Sequence, residues 1–281
     1  MTRSILPAHT TVASDDAGSH RGVLYLLHGF LGAGRNWASF ARRLVTRRPE
    51  WTAELVDLRL HGDSREIEGP HSVAAAAEDV ARLHRSNSAP GTPCAVLGHS
   101  FGGKVALELA TLLAPDLRQA WVVDSTPAPS RGTGSSGSML EMLDASPAEF
   151  VDRDAAVRHV MRSGFDEPTA RWMATNLRQN RKAWAWDLDR AGLRELHDSF
   201  AATDLWNVVD DSNGEVDLRF VRASTGSIMS DDSATRLNAA AEGGRSVRLH
   251  VLEGGHWLHI DNPAGLLNLV ADGLPGLSRN G

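Results

Sequence analysis

Cysteine is nearly absent from this chain. Cys94 stands alone, so no intramolecular disulfide can form and the fold must hold by burial. A single thiol fits a reducing compartment. No apolar run of about 18 residues occurs, so no membrane-spanning helix is expected. The stretch Met1 to Pro7 lacks the apolar core of a secretory signal and is too short for an organelle transit peptide. The location is open: cytoplasmic by default, a plastid if the source is a photosynthetic eukaryote. Charge of one sign does not dominate: 35 acidic against 29 basic residues leave a net charge of -6, mixed along the sequence. Without a basic stripe, no nucleic-acid partner is expected. No His/Cys/carboxylate spacing suits a metal, so neither metal nor cofactor is expected. What remains is a chain of 281 residues, 42% hydrophobic and 23% charged. That is enough to bury one substantial core.

Short apolar runs alternate with helical patterns. Val23 to Leu27 reads as a buried strand, followed by a helix over roughly 35–48. Glu54 to Asp57 ends a second strand, and a helix near 72–86 has Ser72 as its cap. Cys94 to Leu97 is the next strand, with a helix from about 101 to 114 behind it, then Trp121 to Val123. This order predicts an α/β fold with a mostly parallel sheet and helices on both faces. The alternation stops over 128–214, where no buried strand is evident. Residues 130–138 are rich in glycine and serine and read as a flexible connection. Ser146, Pro147 and Glu149 form a helix-start signature. Strands resume at Val216 to Val221 and Val247 to Leu252, and Asn262-Pro263 starts a closing helix. The expected organisation is a core of 1–127 and 215–281, with an inserted helical cap of 128–214 over the carboxyl edge of the strands.

Gly98-His99-Ser100-Phe101-Gly102 matches G-x-S-x-G, directly after a buried strand and directly before a helix. A serine nucleophile needs that context: a turn sharp enough to strain its backbone, and a helix whose first amides point at a developing oxyanion. His28-Gly29-Phe30 follows the first strong strand and supplies the second donor of such a site. The main-chain amides of Phe30 and Phe101 are the expected pair. Gly29, Gly32 and Gly34 run in the reverse of the dinucleotide spacing, which argues against nucleotide binding. His256, in Gly254-Gly255-His256-Trp257, lies after the last strand, where the base comes in the chain order serine, acid, histidine. His259 is a weaker candidate for the base, and His99 is expected to pack beneath the turn. The acid is open on the residues alone. Asp124 ends the strand next to the serine strand, whereas the loop after the following strand has no acid until Asp231 and Asp232, which look like a helix start. Phe30, Phe101, Trp186, Trp206 and Trp257 are candidate contacts for an apolar substrate group. His61-Gly62-Asp63-Ser64 reads as a structural turn. The one tyrosine, Tyr25, lies in a strand, which leaves no tyrosine for an epoxide-opening cap.

These residues resemble the α/β-hydrolase superfamily, in particular small esterases of the bacterial YbfF type and the animal abhydrolase-domain 11 type. The matching stretches are His28 to Gly32 with Asn36-Trp37, Asp57-Leu58-Arg59 with His61 to Ser64, Gly98 to Lys104, and Gly255 to His259. That resemblance implies Asp124 as the acid. A further likeness, to chlorophyll dephytylase-type hydrolases of plants and algae, rests on Gly69 to Val73, Ala174 to Leu177, Trp186 to Asp189 and Leu205 to Asn207. Together they imply a serine hydrolase that cleaves carboxylic esters with an apolar group, with phytol esters among the substrates it could take. The alternatives are a receptor of the same fold with vestigial turnover, or an acyltransferase. The expected partner is a small ester, with peripheral contact to a lipid-like substrate left open, and the expected state is a monomer or homodimer.

Overall fold

The computed structural model describes residues 5–15, 20–130, 134–181 and 183–277. Seven strands form one sheet: β1 (His9–Val12), β2 (Gly22–Leu27), β3 (Trp51–Val56), β4 (Cys94–His99), β5 (Leu117–Val123), β8 (Asp217–Ala223) and β9 (Val247–Leu252). Their order is β1-β3-β2-β4-β5-β8-β9. All neighbours are parallel except the edge pair β1–β3. The edge strand β1 was not evident in the sequence, because its four residues are mostly exposed. The central strand β4 is buried at every position, as a strand covered on both faces must be.

One face carries α1 (Ala38–Arg47), which is preceded by a 3-10 turn, and α11 (Pro263–Gly273). They close a core around Trp37, Trp51, Trp121 and Leu266. The other face carries α2 (Val73–Asn87) and α3 (Phe101–Leu112), and that core continues into the insert. Ser72 caps α2 through a 3.0 Å bond from the Ala75 amide. Among the described residues no helix is long and apolar enough to cross a membrane.

Between β5 and β8 the chain forms α4 (Gly134–Asp144), α5 (Arg153–Arg162), α6 (Glu167–Met173), a hairpin of β6 (Leu177–Asn180) and β7 (Ala183–Trp186), α7 (Arg190–Ala202) and α8 (Trp206–Asp210). Three expectations change here. The region is not purely helical: β6 and β7 pair antiparallel, outside the main sheet. The helix expected from Ser146-Pro147 starts instead at Arg153, capped by Asp152. Phe150 explains the delay, because its backbone exchanges two hydrogen bonds with Trp184 of β7, at 2.7 and 2.8 Å, and this holds the segment extended. Of the connection at 130–138, residues 131–133 lie outside the described residues, and α4 already begins at Gly134. Buried Met139, Leu140, Met142 and Leu143 anchor that helix. After β8, α9 (Asp231–Glu242) begins at Asp231 with Ser230 as its cap. A short α10 (Leu258–Asp261) precedes α11.

Candidate active site

Strand register brings the carboxyl ends of β4, β5 and β8 together. His99 pairs with Val123, and Val123 with Val221. The next residues out are Ser100 and Asp124. The Ser100 amide donates to Val123 O at 3.0 Å, and the Asp124 amide to Val221 O at 2.7 Å. Both residues take left-handed backbone angles, φ 53° and 41°. For residues that carry a Cβ, such geometry costs roughly 1–3 kcal/mol each. The turn at Ser100 is so tight that a Cβ on Gly98 would collide with the Gly102 carbonyl. A Cβ on Gly102 would stand 2.6 Å from His28 O. Glycine is therefore required on both sides of the serine.

Asp124 is fully buried. Its Oδ1 accepts from the Ala223 amide at 3.0 Å and from Ser227 Oγ at 2.5 Å, and its Oδ2 faces His256 Nδ1 at 2.6 Å. Burial alone would raise its pKa. The bonds from His256, Ser227 and Ala223 outweigh that and hold it below the usual carboxylate value. An ionised Asp124 fixes the proton of His256 on Nδ1 and leaves Nε2 as an acceptor. His256 and Ser100 are both half-buried. The sharp turn at Ser100, the elbow, is joined to the histidine loop by His99, whose Nε2 donates to the His256 carbonyl at 2.8 Å. Burial, reinforced by His256 and His259, pushes His99 well below the usual histidine pKa. Asp231 and Asp232 are not part of this group: they occupy the first turn of α9, and exposed Asp231 pairs with Arg222 at 2.5 Å. Burial lowers the pKa of His259 to about 4, and its ring lies 4.9 Å from that of Trp37.

The loop after β2 lies against the elbow. A Cβ on Gly29 would be 2.9 Å from His99 Nδ1 and 3.4 Å from Ser100 Cβ. The four amides from Leu31 to Gly34 each have an acceptor. Leu31 N donates to His61 Nε2 at 3.0 Å, Gly32 N to Gly29 O at 3.0 Å, Ala33 N to Asn36 Oδ1 at 2.7 Å, and Gly34 N to Asp57 Oδ1 at 2.7 Å. The amides of Phe30 and Phe101 have no hydrogen-bond partner among the described residues. His28 Nε2 in turn accepts from the Leu58 amide at 3.0 Å. Burial lowers the pKa of His28 to about 4 and that of His61 to about 3, so both are neutral scaffolding at pH 7. His61 was expected only to shape a turn, yet it reaches across to the loop and its ring meets those of both Phe30 and Phe101.

The aromatic candidates divide. Trp257 meets His256 edge-on and His99 at a tilt, and lies 4.8 Å from Trp172 of α6 between ring centres. A cleft of about 310 Å³ opens there, lined by Trp172, Trp257, Pro168, Thr169 and Ile260 among others. Phe30 contacts His197 of α7, and the fully buried Phe101 contacts Phe200. Trp186 is held by Phe150, and Trp206 lies under Arg236. Those ring contacts belong to the insert and to its junction with α9, not to the Ser100 group. Lys104 of α3 is buried and donates to three carbonyls, Ala128 at 2.9 Å, Phe200 at 2.8 Å and Thr203 at 2.7 Å, which ties the insert to the core. Asp57, His61, Ser227 and Asn176 all act on this edge. Asp57, His61 and Asn176 fall in stretches that carry the family resemblances, but the bonds they make to this edge cross 23, 30 and 145 residues and are not visible in a linear reading.

The profile of the Alpha/beta hydrolase family matches residues 24–269. The sn-1-specific diacylglycerol lipase ABHD11 of Danio rerio is 25% identical over 280 residues, 95% of this chain and 83% of that protein. Its Xenopus laevis counterpart is 27% identical over 256 residues, 89% of this chain and 78% of that protein. Among solved structures, a marine microorganism esterase superposes with a TM-score of 0.80 at 19% identity, covering 96% of this chain and all (100%) of that one.

Proposed function

The chain belongs to the alpha/beta hydrolase family, and we propose that within it this protein is a serine carboxylesterase acting on esters with an apolar group. Ser100 Oγ attacks the ester carbonyl and passes its proton to His256 Nε2. Asp124 holds the opposite nitrogen and stabilises the imidazolium that forms. The amides of Phe30 and Phe101 receive the oxyanion. The alcohol leaves with the proton from His256, and water then cleaves the acyl-enzyme by the same route. Residues 128–214 act as the cap over this edge.

The observation that carries this reading is the 2.6 Å bond between His256 and buried Asp124, one strand from a serine at φ 53°. The relatives named as diacylglycerol lipases support the ester class and the apolar group. Phytol esters such as chlorophyll a belong to the same chemical class. The test is steady-state hydrolysis of p-nitrophenyl esters from acetate to decanoate, beside Ser100→Ala, with diacylglycerol and chlorophyll a as further substrates. Turnover that rises with chain length and vanishes in Ser100→Ala supports the proposal. No turnover above the Ser100→Ala blank on any ester overturns it in favour of a receptor, and product partition toward added alcohols points to acyl transfer.

A further inference from the structure

We propose that Asn176, in the cap, is a positioning residue that sets the oxyanion donor of Phe30 through two linked peptide groups. The inference rests on the hydrolase reading above. Asn176 ends a 3-10 turn between α6 and β6 and is 5% exposed. Its Nδ2 donates to the Leu31 carbonyl at 3.0 Å, a bond that spans 145 residues of sequence. The Leu31 carbonyl belongs to the same peptide group as the Gly32 amide, and that amide donates to Gly29 O at 3.0 Å. Gly29 O belongs to the same peptide group as the Phe30 amide. The cap, the two peptide groups and the oxyanion donor thus form one hydrogen-bonded chain. Each peptide group is planar, so holding its carbonyl also fixes the direction of its N–H. Bonds in series also polarise one another, which makes the terminal N–H a better donor.

The loop needs such a hold. Leu31 adopts φ 61°, a conformation a leucine does not keep without support. His61 secures its amide from the core side, and Asn176 secures its carbonyl from the cap side. The turn bearing Asn176 is itself fixed at both ends: Arg153 donates to Ala174 O at 2.8 Å, and the Asp187 amide to Asn176 O at 3.1 Å. A cap that moved away would release the Leu31 carbonyl, so a competent oxyanion site requires the cap in place.

Asn176→Ala and the equal-sized Asn176→Asp, which offers an acceptor where a donor is needed, test this directly. Expected is a fall in kcat of about tenfold, part of the effect of losing a whole donor, with KM for p-nitrophenyl butyrate within about twofold of the parent. Affinity for a trifluoromethyl ketone, which forms an oxyanionic hemiketal on the serine, should fall by the same factor, and Asn176→Gln should recover part of both. An unchanged kcat, or a loss confined to KM, overturns the proposal. A second arm does not depend on turnover. Hydrogen exchange of a peptide covering 28–34 should quicken in Asn176→Ala while peptides from α5 and α6 stay protected, and unchanged exchange of 28–34 overturns the proposal. If the parent protein itself hydrolyses no ester, the esterase reading fails, and the exchange arm still decides the hydrogen-bonded chain.

Discussion

The two edges of the main sheet solve the same geometric problem differently. At the amino edge, left-handed positions in the loops entering β4, β8 and β9 are glycines: Gly91, Gly214 and Gly244, each with open space where a Cβ would go. The carboxyl edge also uses glycine, at Gly62, Gly226 and Gly254, but there Leu31, Leu60, Ser100 and Asp124 adopt such angles despite their side chains. The amino edge also has the larger cleft, about 870 Å³, lined by Arg21, Arg118, Asp217 and Arg219 among others. It has no counterpart, among the described residues, to the ordered chain of Asp124, His256 and His99. Cavity size therefore points away from the proposed site. Strain held in place by buried hydrogen bonds points toward it, because such strain persists only where the surroundings enforce it.

The strongest way to break this contrast is at Ser100. Ser100→Ala should lower kcat by about 10⁴-fold or more while circular dichroism stays native. Ser100→Gly should be equally inactive yet melt higher, by about 2–4 °C if it releases about 1 kcal/mol of backbone strain. A Ser100→Gly protein that melts lower would remove strain from the account. Next comes the acid. Asp124→Asn should cost about 10⁴-fold in kcat by misplacing the histidine proton, as the same change does in another serine hydrolase. Asp231→Asn should leave kcat unchanged, and the reverse ranking in the same ester assay would move the acid to α9.

Acid stability gives a third, smaller effect. His28, His61 and His259 have their pKa values lowered from 6.5 to about 4, 3 and 4 respectively. Unfolded, each takes a proton near pH 6.5, whereas folded each resists until near pH 4 or below. Stability present above pH 6.5 is therefore lost as pH falls toward 4, by up to about 1.4 kcal/mol per pH unit for each histidine. Asp124, lowered as well, loses its contribution as pH falls through its depressed value. Urea unfolding at pH 7, 6 and 5 should show this slope, and His61→Gln should make it shallower. A slope unaffected by His61→Gln would mean that His61 is not a buried neutral group. The smallest effect is at the amino edge. Gly214→Ala should cost about 1 kcal/mol or somewhat more, because alanine resists φ 97°, and kcat should not change.

Much of this architecture was legible in the sequence for a local reason. Strands β2, β4 and β5 are continuous apolar runs, and the turn after β4 needs glycine at fixed positions around Ser100. Asp124 ends the apolar strand that follows the serine and its helix, which made it a candidate beside Asp231 and Asp232, and the family resemblance implied it as the acid. The insert was less legible. The β6–β7 hairpin is short and only half-buried, with polar residues on one strand and Ala-Trp alternation on the other. The helix signature at Ser146-Pro147 was overridden by the pairing of Phe150 with Trp184. The supporting polar residues were the least legible. His61, Ser227 and Asn176 act on residues 30, 103 and 145 positions away, and no periodicity records a bond of that length.

In the proposed mechanism Ser100 carries an acyl group during turnover. The most direct test is intact and peptide mass spectrometry after mixing the protein with a p-nitrophenyl ester and quenching in acid, with Asp124→Asn used to slow deacylation. The account predicts a mass increase of one acyl group on the peptide containing Ser100, lost on longer incubation and absent in Ser100→Ala. Ester turnover with no adduct in either protein, or an adduct that survives Ser100→Ala, would contradict it.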